Sequence, residues 1–149
     1  MSDDSLATRL VGSWELISRI DQTRSGEQRA EPSLGSNPFG FLVFDRAGHF
    51  AAQFMKRDRA SAESATIGAG GLNNSRARGG YDAYFGRYTV DDDQETVETE
   101  LVAALSPENV GQVFTRTMKV EGDILTLELD TTSAVGEPLR RTLRWRRVS

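Results

Sequence analysis

The stretch LVGSWELIS, at residues 10–18, decides how the rest of the sequence is interpreted. From Ser13 onward apolar and polar residues alternate, which is the pattern of a β-strand with one buried face. One face of this strand carries Trp14, Leu16, Ser18 and Ile20, and the other carries Glu15, Ile17, Arg19 and Asp21. A short N-terminal helical turn precedes the strand, because Ser5 is a suitable N-cap and Gly12 a suitable C-terminal stop.

Seven further strands follow, each bounded by turn residues. In chain order they are FGFLVF, HFAAQFMKR, YFGRYTV, TVETELVAAL, GQVFTRTMKV, ILTLELD and LRRTLRWRRV. Eight short strands without a sustained helix predict an all-β fold, either a barrel or a sandwich. We expect an eight-stranded antiparallel up-and-down barrel, since closure removes exposed strand edges and eight strands can enclose one small ligand.

Residues 57–80, between the third and fourth strands, are small, polar and glycine-rich. This connection is longer than is usual in a compact domain. Its length predicts a flap, or a lid, over an opening of the barrel.

Length and composition restrict the class of protein. The 149 residues predict a single domain covering residues 1–149. A net charge of -4 argues against a nucleic-acid or anionic-membrane partner. With no cysteine and one histidine, thiolate catalysis and the usual zinc sites are excluded, and we expect neither a metal nor a cofactor. An acidic N-terminus without an apolar run predicts a cytoplasmic protein, and the sequence is compatible with a homodimer.

Gly12 and Trp14 in the first strand, with arginines flanking Trp145 in the last, resemble the lipocalin or calycin barrels. Six blocks in the same order are similar to the bacterial lipocalin-like domain family: LVGSWELIS, NPFGFLVFDRAGHF, YDAYFGRYTVD, AALSPENVGQVFTR, EGDILTLEL and LRWRRV. The resemblance covers nearly the whole chain and implies a barrel with an internal pocket, not a known reaction. Members often carry a His-His pair in the fifth strand, where this chain has Thr99 and Glu100.

The resemblance also implies that Trp14 plugs the closed end of the barrel beneath an arginine of the last strand. A guanidinium over an indole ring stabilises such an end by a cation–π interaction. We expect Arg144 or Arg146 to supply that guanidinium.

The sixth strand supplies the main candidate for binding. Phe114, Arg116, Met118 and Val120 share its more apolar face, which we expect to point into the barrel. A guanidinium in that interior needs a carboxylate, water or an anionic ligand group. Arg141 in the last strand is either a second inward cation or exposed at the strand end.

Glu100 is the predicted partner of Arg116. A tight hairpin through residues 105–111 would place the two side chains directly opposite each other on neighbouring strands. A slip of one residue would turn Glu100 outward, so the register stays open. Either the two form a buried structural ion pair, or Arg116 anchors a ligand oxygen while Glu100 orients the ligand or acts as a base.

Three tyrosines are further candidates, because a tyrosine at a barrel mouth offers an apolar ring and a hydroxyl donor. Tyr84 and Tyr88 share a face of the fourth strand, and Tyr81 precedes them. The predicted ligand-binding set is therefore Arg116, Glu100, Tyr84, Tyr88, Phe114, Met118 and Tyr81.

Three functions fit these residues. The favoured one is binding of a small, largely apolar molecule with a polar or anionic end inside a lipocalin-like barrel. The alternative is a cofactor-free enzyme, such as a cyclase, isomerase or hydratase, in which Glu100 or Tyr84 transfers a proton. The third is an interaction domain without a ligand. The sequence leaves open whether the protein is an enzyme.

Overall fold

The computed structural model describes residues 5–35, 37–58 and 75–149. A short helix, α1 (Leu6–Leu10), precedes nine strands. These are β1 (Gly12–Gln22), β2 (Gln28–Arg29), β3 (Phe39–Phe44), β4 (His49–Met55), β5 (Tyr81–Asp91), β6 (Thr96–Ala104), β7 (Val113–Glu121), β8 (Ile124–Thr132) and β9 (Pro138–Arg147). No helix in this described part of the chain has the length and hydropathy needed to span a membrane.

Eight of the strands form a closed antiparallel barrel, as predicted. The strands β3 to β9 pair in chain order, and β1 pairs with both β3 and β9 to close the sheet. The additional strand β2 has two residues and pairs only with the end of β1. The predicted N-terminal helical turn is also confirmed, with the Ser5 hydroxyl accepting a hydrogen bond from the backbone N–H of Thr8. Of the predicted flap, residues 59–74 lie outside the described residues.

Trp14 and Arg147 close the end of the barrel beside α1. Trp14 is fully buried, and its indole N–H donates to the carbonyl of Leu10 at 2.9 Å. The guanidinium carbon of Arg147 lies 4.2 Å from the Trp14 ring centroid, and its nitrogens donate to the carbonyls of Arg9 and Val11. The predicted cation over Trp14 is therefore present, but the choice of Arg144 or Arg146 was wrong, because both are exposed.

Glycine is required at position 12, where the chain enters β1. Its φ of 142° lies in a region that side chains rarely adopt, and a Cβ there would come within 2.5 Å of the Arg147 guanidinium and of the Ser149 carbonyl oxygen. The Gly-x-Trp entry to the barrel thus makes room for the arginine that covers the tryptophan.

A β-bulge in β1 changes which side chains point inward. Strand β1 pairs regularly with β9 except between Leu16 and Ser18, where one extra residue is inserted. Such a bulge moves the following residues to the opposite face of the sheet. Arg19 and Asp21 are consequently buried, whereas Ile20 is 37% exposed. The uninterrupted alternation predicted for this strand was wrong beyond the bulge.

Two irregular segments cover the other end of the barrel. Residues 31–34, after β2, bury Glu31, Ser33 and Leu34. Residues 75–77, before β5, are held by Asn109, whose side chain accepts from the Arg76 N–H at 2.9 Å and donates to its carbonyl at 3.1 Å. A cavity lies between these segments and the packed closed end.

Candidate functional site

A cavity occupies the barrel between the covered end and the two tryptophans. Its wall is mostly apolar, with a minority of charged and hydroxyl side chains. The apolar residues are Leu34, Leu42, Phe44, Phe50, Ala52, Phe54, Ala77, Val97, Phe114, Leu127, Leu129, Leu143 and Trp145. The centres of water molecules could occupy about 70 Å³ of this space. Because one water needs about 10–15 Å³, the lumen is not packed solid.

Three arginines line this cavity, and two of them are neutralised by buried carboxylates. Arg19, turned inward by the bulge in β1, lies 3.2 Å from a carboxylate oxygen of Glu31. Arg141 forms a two-pronged pair with Asp21, with nitrogen–oxygen distances of 2.7 and 2.9 Å. Of the two placements considered for Arg141, the inward one is correct. Such pairs offset most of the cost of burying a guanidinium.

The third arginine, Arg116, has no carboxylate partner among the residues that the structure describes. Its face of β7 points inward as predicted, with Phe114 and Met118 buried on either side. Its guanidinium carbon lies 4.9 Å from the Phe114 ring centroid, and one N–H donates to the Thr115 carbonyl at 3.2 Å. Within the described residues it makes no ion pair. Burial, reinforced by the charge of Arg141 and opposed by Tyr84, lowers the pKa of Arg116 to about 10.

The predicted pairing of Glu100 with Arg116 was wrong. Glu100 lies opposite Val113, and Arg116 lies opposite Val97. Glu100 is exposed on the outer face of β6, so its carboxylate does not line the cavity. The role of Glu100 as an orienting group or base inside the barrel therefore loses its structural basis.

Tyr84 lies in the cavity wall, as predicted, between Phe50 and Phe114. Its ring centroid is 6.0 Å from that of Phe50 and 6.3 Å from that of Phe114. Burial, and secondarily the charge of Asp82, raises the pKa of Tyr84 to about 12, while Arg116 acts in the opposite direction. The phenol is therefore a hydrogen-bond donor at neutral pH.

The other predicted ligand-binding residues are distributed differently. Phe114 lines the cavity, and Met118 is buried in the core without lining it. The hydroxyl of Tyr88 donates to the Asp45 carbonyl, and that of Tyr81 donates to Gln53. Neither tyrosine lines the cavity. Any ligand contact of Met118, Tyr81 or Tyr88 stays a prediction.

Asp82 is a cavity residue that sequence reasoning missed. It is 2% exposed and shares the inner face of β5 with Tyr84. Burial raises its pKa from 3.8 to about 6, against the opposing effects of the Ser75 hydroxyl, the backbone of Ala83 and the charge of Arg19. Its position two residues before Tyr84 was the available signal, because alternate residues of a strand share a face.

Two cavity-lining side chains carry a buried polar atom without a hydrogen-bond partner within the described ranges. Among the described residues, the Oδ1 atom of Asp82 and the indole N–H of Trp145 are buried without a hydrogen-bond partner. Together with Arg116 and Tyr84, they offer a ligand both donors and an acceptor. No group of three or more histidine or carboxylate side chains in the described part of the chain is arranged to hold a metal ion.

The cavity combines an apolar wall with a small number of polar groups. The apolar wall can cover a hydrocarbon or aromatic skeleton, and a guanidinium is a strong donor to a carboxylate, phenolate or carbonyl oxygen.

A family model described as a lipocalin-like domain matches residues 11–148. No curated protein matches the chain.

Proposed function

Because this chain belongs to the lipocalin-like domain family, we propose that its barrel binds a small, largely apolar molecule that carries a polar or anionic end. The guanidinium of Arg116 anchors that end, and the hydroxyl of Tyr84 donates a further hydrogen bond. The rings of Phe114 and Tyr84, with the aliphatic wall, cover the apolar part of the molecule.

The observation that carries this proposal is the contrast among the three cavity arginines. Arg19 and Arg141 each have a buried carboxylate, whereas Arg116 has none among the described residues. Arg116 is partly buried, and a guanidinium withdrawn from water without a carboxylate lowers the stability of the folded state. An anionic ligand group would remove that cost and at the same time gain a charge-assisted hydrogen bond.

A panel of monocarboxylates tests the proposal: hexanoate, octanoate and phenylacetate, each added to the wild type and to Arg116→Met. A ligand that binds only the folded state raises the melting temperature. We expect at least one acid to raise it for the wild type, and the effect to be lost in Arg116→Met. The matched control is Arg144→Met, which removes an exposed guanidinium of β9 and should keep the wild-type response.

Two results would count against the proposal. Equal melting shifts in the wild type and Arg116→Met would remove Arg116 as the anchor. No shift with any of the acids would overturn the binding of anionic molecules altogether.

Proton transfer on the bound molecule is the second candidate function, and Asp82 favours it. A carboxyl group with a pKa of about 6 is suited to general acid–base catalysis near neutral pH. In this version Asp82 replaces Glu100 as the proton-transferring group of a cofactor-free isomerase or cyclase. Incorporation of deuterium from heavy water into a bound ketone or acid, followed by NMR, would detect the proton transfer. The variant Asp82→Asn should abolish this incorporation.

A further inference from the structure

The cavity has a second polar position, at Asp82, which anchoring an acid at Arg116 does not use. The Oδ2 atom of Asp82 accepts a hydrogen bond from the Ser75 hydroxyl. Its Oδ1 atom is buried and accepts none from the described residues. Arg19, whose charge acts on Asp82, is engaged with Glu31. Asp82 lines the cavity, and one of its two carboxylate oxygens therefore has no donor within the part of the chain that the structure describes.

An unsatisfied carboxylate oxygen is costly in a buried site. Removing a charged acceptor from water without a replacement donor costs more than the same loss for a neutral group. A group that donates a hydrogen to Oδ1 would recover that cost. The apolar side chains around the cavity cannot supply it.

The donors in the same cavity lie on other elements. Arg116 on β7 lines the cavity and donates one N–H to the Thr115 carbonyl, and the guanidinium group carries five donor hydrogens in all. The indole N–H of Trp145 on β9 is buried without a partner among the described residues. Tyr84 lines the same cavity, and the charges of both Asp82 and Arg116 act on its pKa, in opposite directions. The lumen is thus complementary to a molecule with an acceptor at one point and a donor at another.

We propose that the ligand is a hydroxylated acid or hydroxylated carbonyl compound, whose oxygen binds Arg116 and whose hydroxyl donates to Oδ1 of Asp82. This inference rests on the proposed function, because it requires Arg116 to hold an oxygen of the same molecule. It distinguishes the ligand class from plain fatty acids, which would leave Asp82 unsatisfied.

Matched pairs of probes test the inference by calorimetric titration. Hexanoate and octanoate are each compared with the ω-hydroxylated acid, and phenylacetate with its para-hydroxy derivative. In at least one pair we expect the wild type to bind the hydroxylated member about tenfold more tightly, since a hydrogen bond to a charged acceptor contributes that much. Asp82→Leu should abolish this preference, and Asp82→Asn, which keeps the shape of the side chain, should reduce it.

Two controls separate the inference from the proposed function. Asp130→Asn alters an exposed carboxylate of β8 and should keep the tenfold preference. Arg116→Met should weaken both members of a pair. Wild-type protein that binds acids but ignores the hydroxyl in every pair would overturn this inference alone. A preference that survives in Asp82→Leu would also overturn it, whereas failure of every acid to bind overturns the proposed function as well.

Discussion

Arg141 and Asp21 face each other across β9 and β1 as a bidentate ion pair whose side chains are only 4% and 3% exposed. The two strands that carry them are those whose pairing closes the barrel. The pair therefore lies at the seam between β1 and β9, where each buried side chain neutralises the charge of the other.

Loss of Arg141 should destabilise the fold strongly. In Arg141→Met the carboxylate of Asp21 stays buried without its partner, and we expect a loss of about 3–5 kcal/mol in the free energy of unfolding. Urea unfolding measures the change. The double variant Asp21→Leu/Arg141→Met removes both charges and should recover most of the loss. A double variant as unstable as Arg141→Met would contradict this explanation.

Loss of Arg116 should have the opposite effect on the ligand-free protein. A guanidinium whose pKa falls from 12.5 in the unfolded chain to about 10 in the folded one destabilises the folded state at every pH below about 10. We expect Arg116→Met to raise the free energy of unfolding at neutral pH by about 1–3 kcal/mol. A loss similar to that of Arg141→Met would show that Arg116 has a structural carboxylate partner.

Asp82 should make stability depend on pH. Its pKa is higher in the folded state, about 6, than its ordinary value of 3.8. Its contribution to stability is therefore fully present below about pH 4 and is lost as the pH rises through 6. We expect Asp82→Asn to gain about 2–3 kcal/mol over the wild type between about pH 4 and pH 8. Urea unfolding of both proteins across that interval measures the difference, and a constant difference would contradict the raised pKa.

The arginine over Trp14 should stabilise the closed end. Arg147→Met removes a cation–π contact and two hydrogen bonds to carbonyls, and we expect it to cost about 2–3 kcal/mol. The neighbouring Arg146→Met changes an exposed side chain and should stay within about 0.5 kcal/mol of the wild type. Thermal unfolding of the two variants provides the comparison. Equal effects would mean that Arg147 does not support Trp14.

Gly86 should tolerate no side chain. A Cβ at this position would lie 1.8 Å from the carbonyl oxygen of Glu100, because a bulge in β6 brings that backbone against β5. We expect Gly86→Ala to destabilise the protein by about 3 kcal/mol or more. Thr89→Ala, an exposed change on the same strand, should be nearly neutral. Recovery of Gly86→Ala with wild-type stability would show that the bulge can relax.

The strands and the barrel were predictable because alternation of apolar and polar residues reports directly on burial. The inward face of β7, including Arg116, follows from the same rule. The rule fails at a β-bulge, where one strand has an extra residue relative to its partner and the following side chains change face. The bulge after Leu16 turned Arg19 and Asp21 to the buried face of the strand, and no local pattern in the sequence marks it.

Register was the second limit. The tight turn assumed for residues 105–111 would bring Arg116 opposite Glu100. The chain instead forms a wider loop that contains a 3-10 turn at Pro107–Asn109. In this loop the side chain of Asn109 accepts a hydrogen bond from the backbone N–H of Arg76. With this loop, Glu100 pairs with Val113 and faces outward.

The pairing of β1 with β9 has a consequence for synthesis. Strand β1 leaves the ribosome long before β9, its partner across the seam. The sheet of the nascent chain therefore has two unpaired edge strands until residues 140–147 emerge. Sheets whose paired strands are far apart in sequence fold slowly, and their unpaired edges are prone to aggregate until the partner strand is available. Chaperone dependence should therefore be highest for translation intermediates that end just before β9, and should vanish once the seam can form.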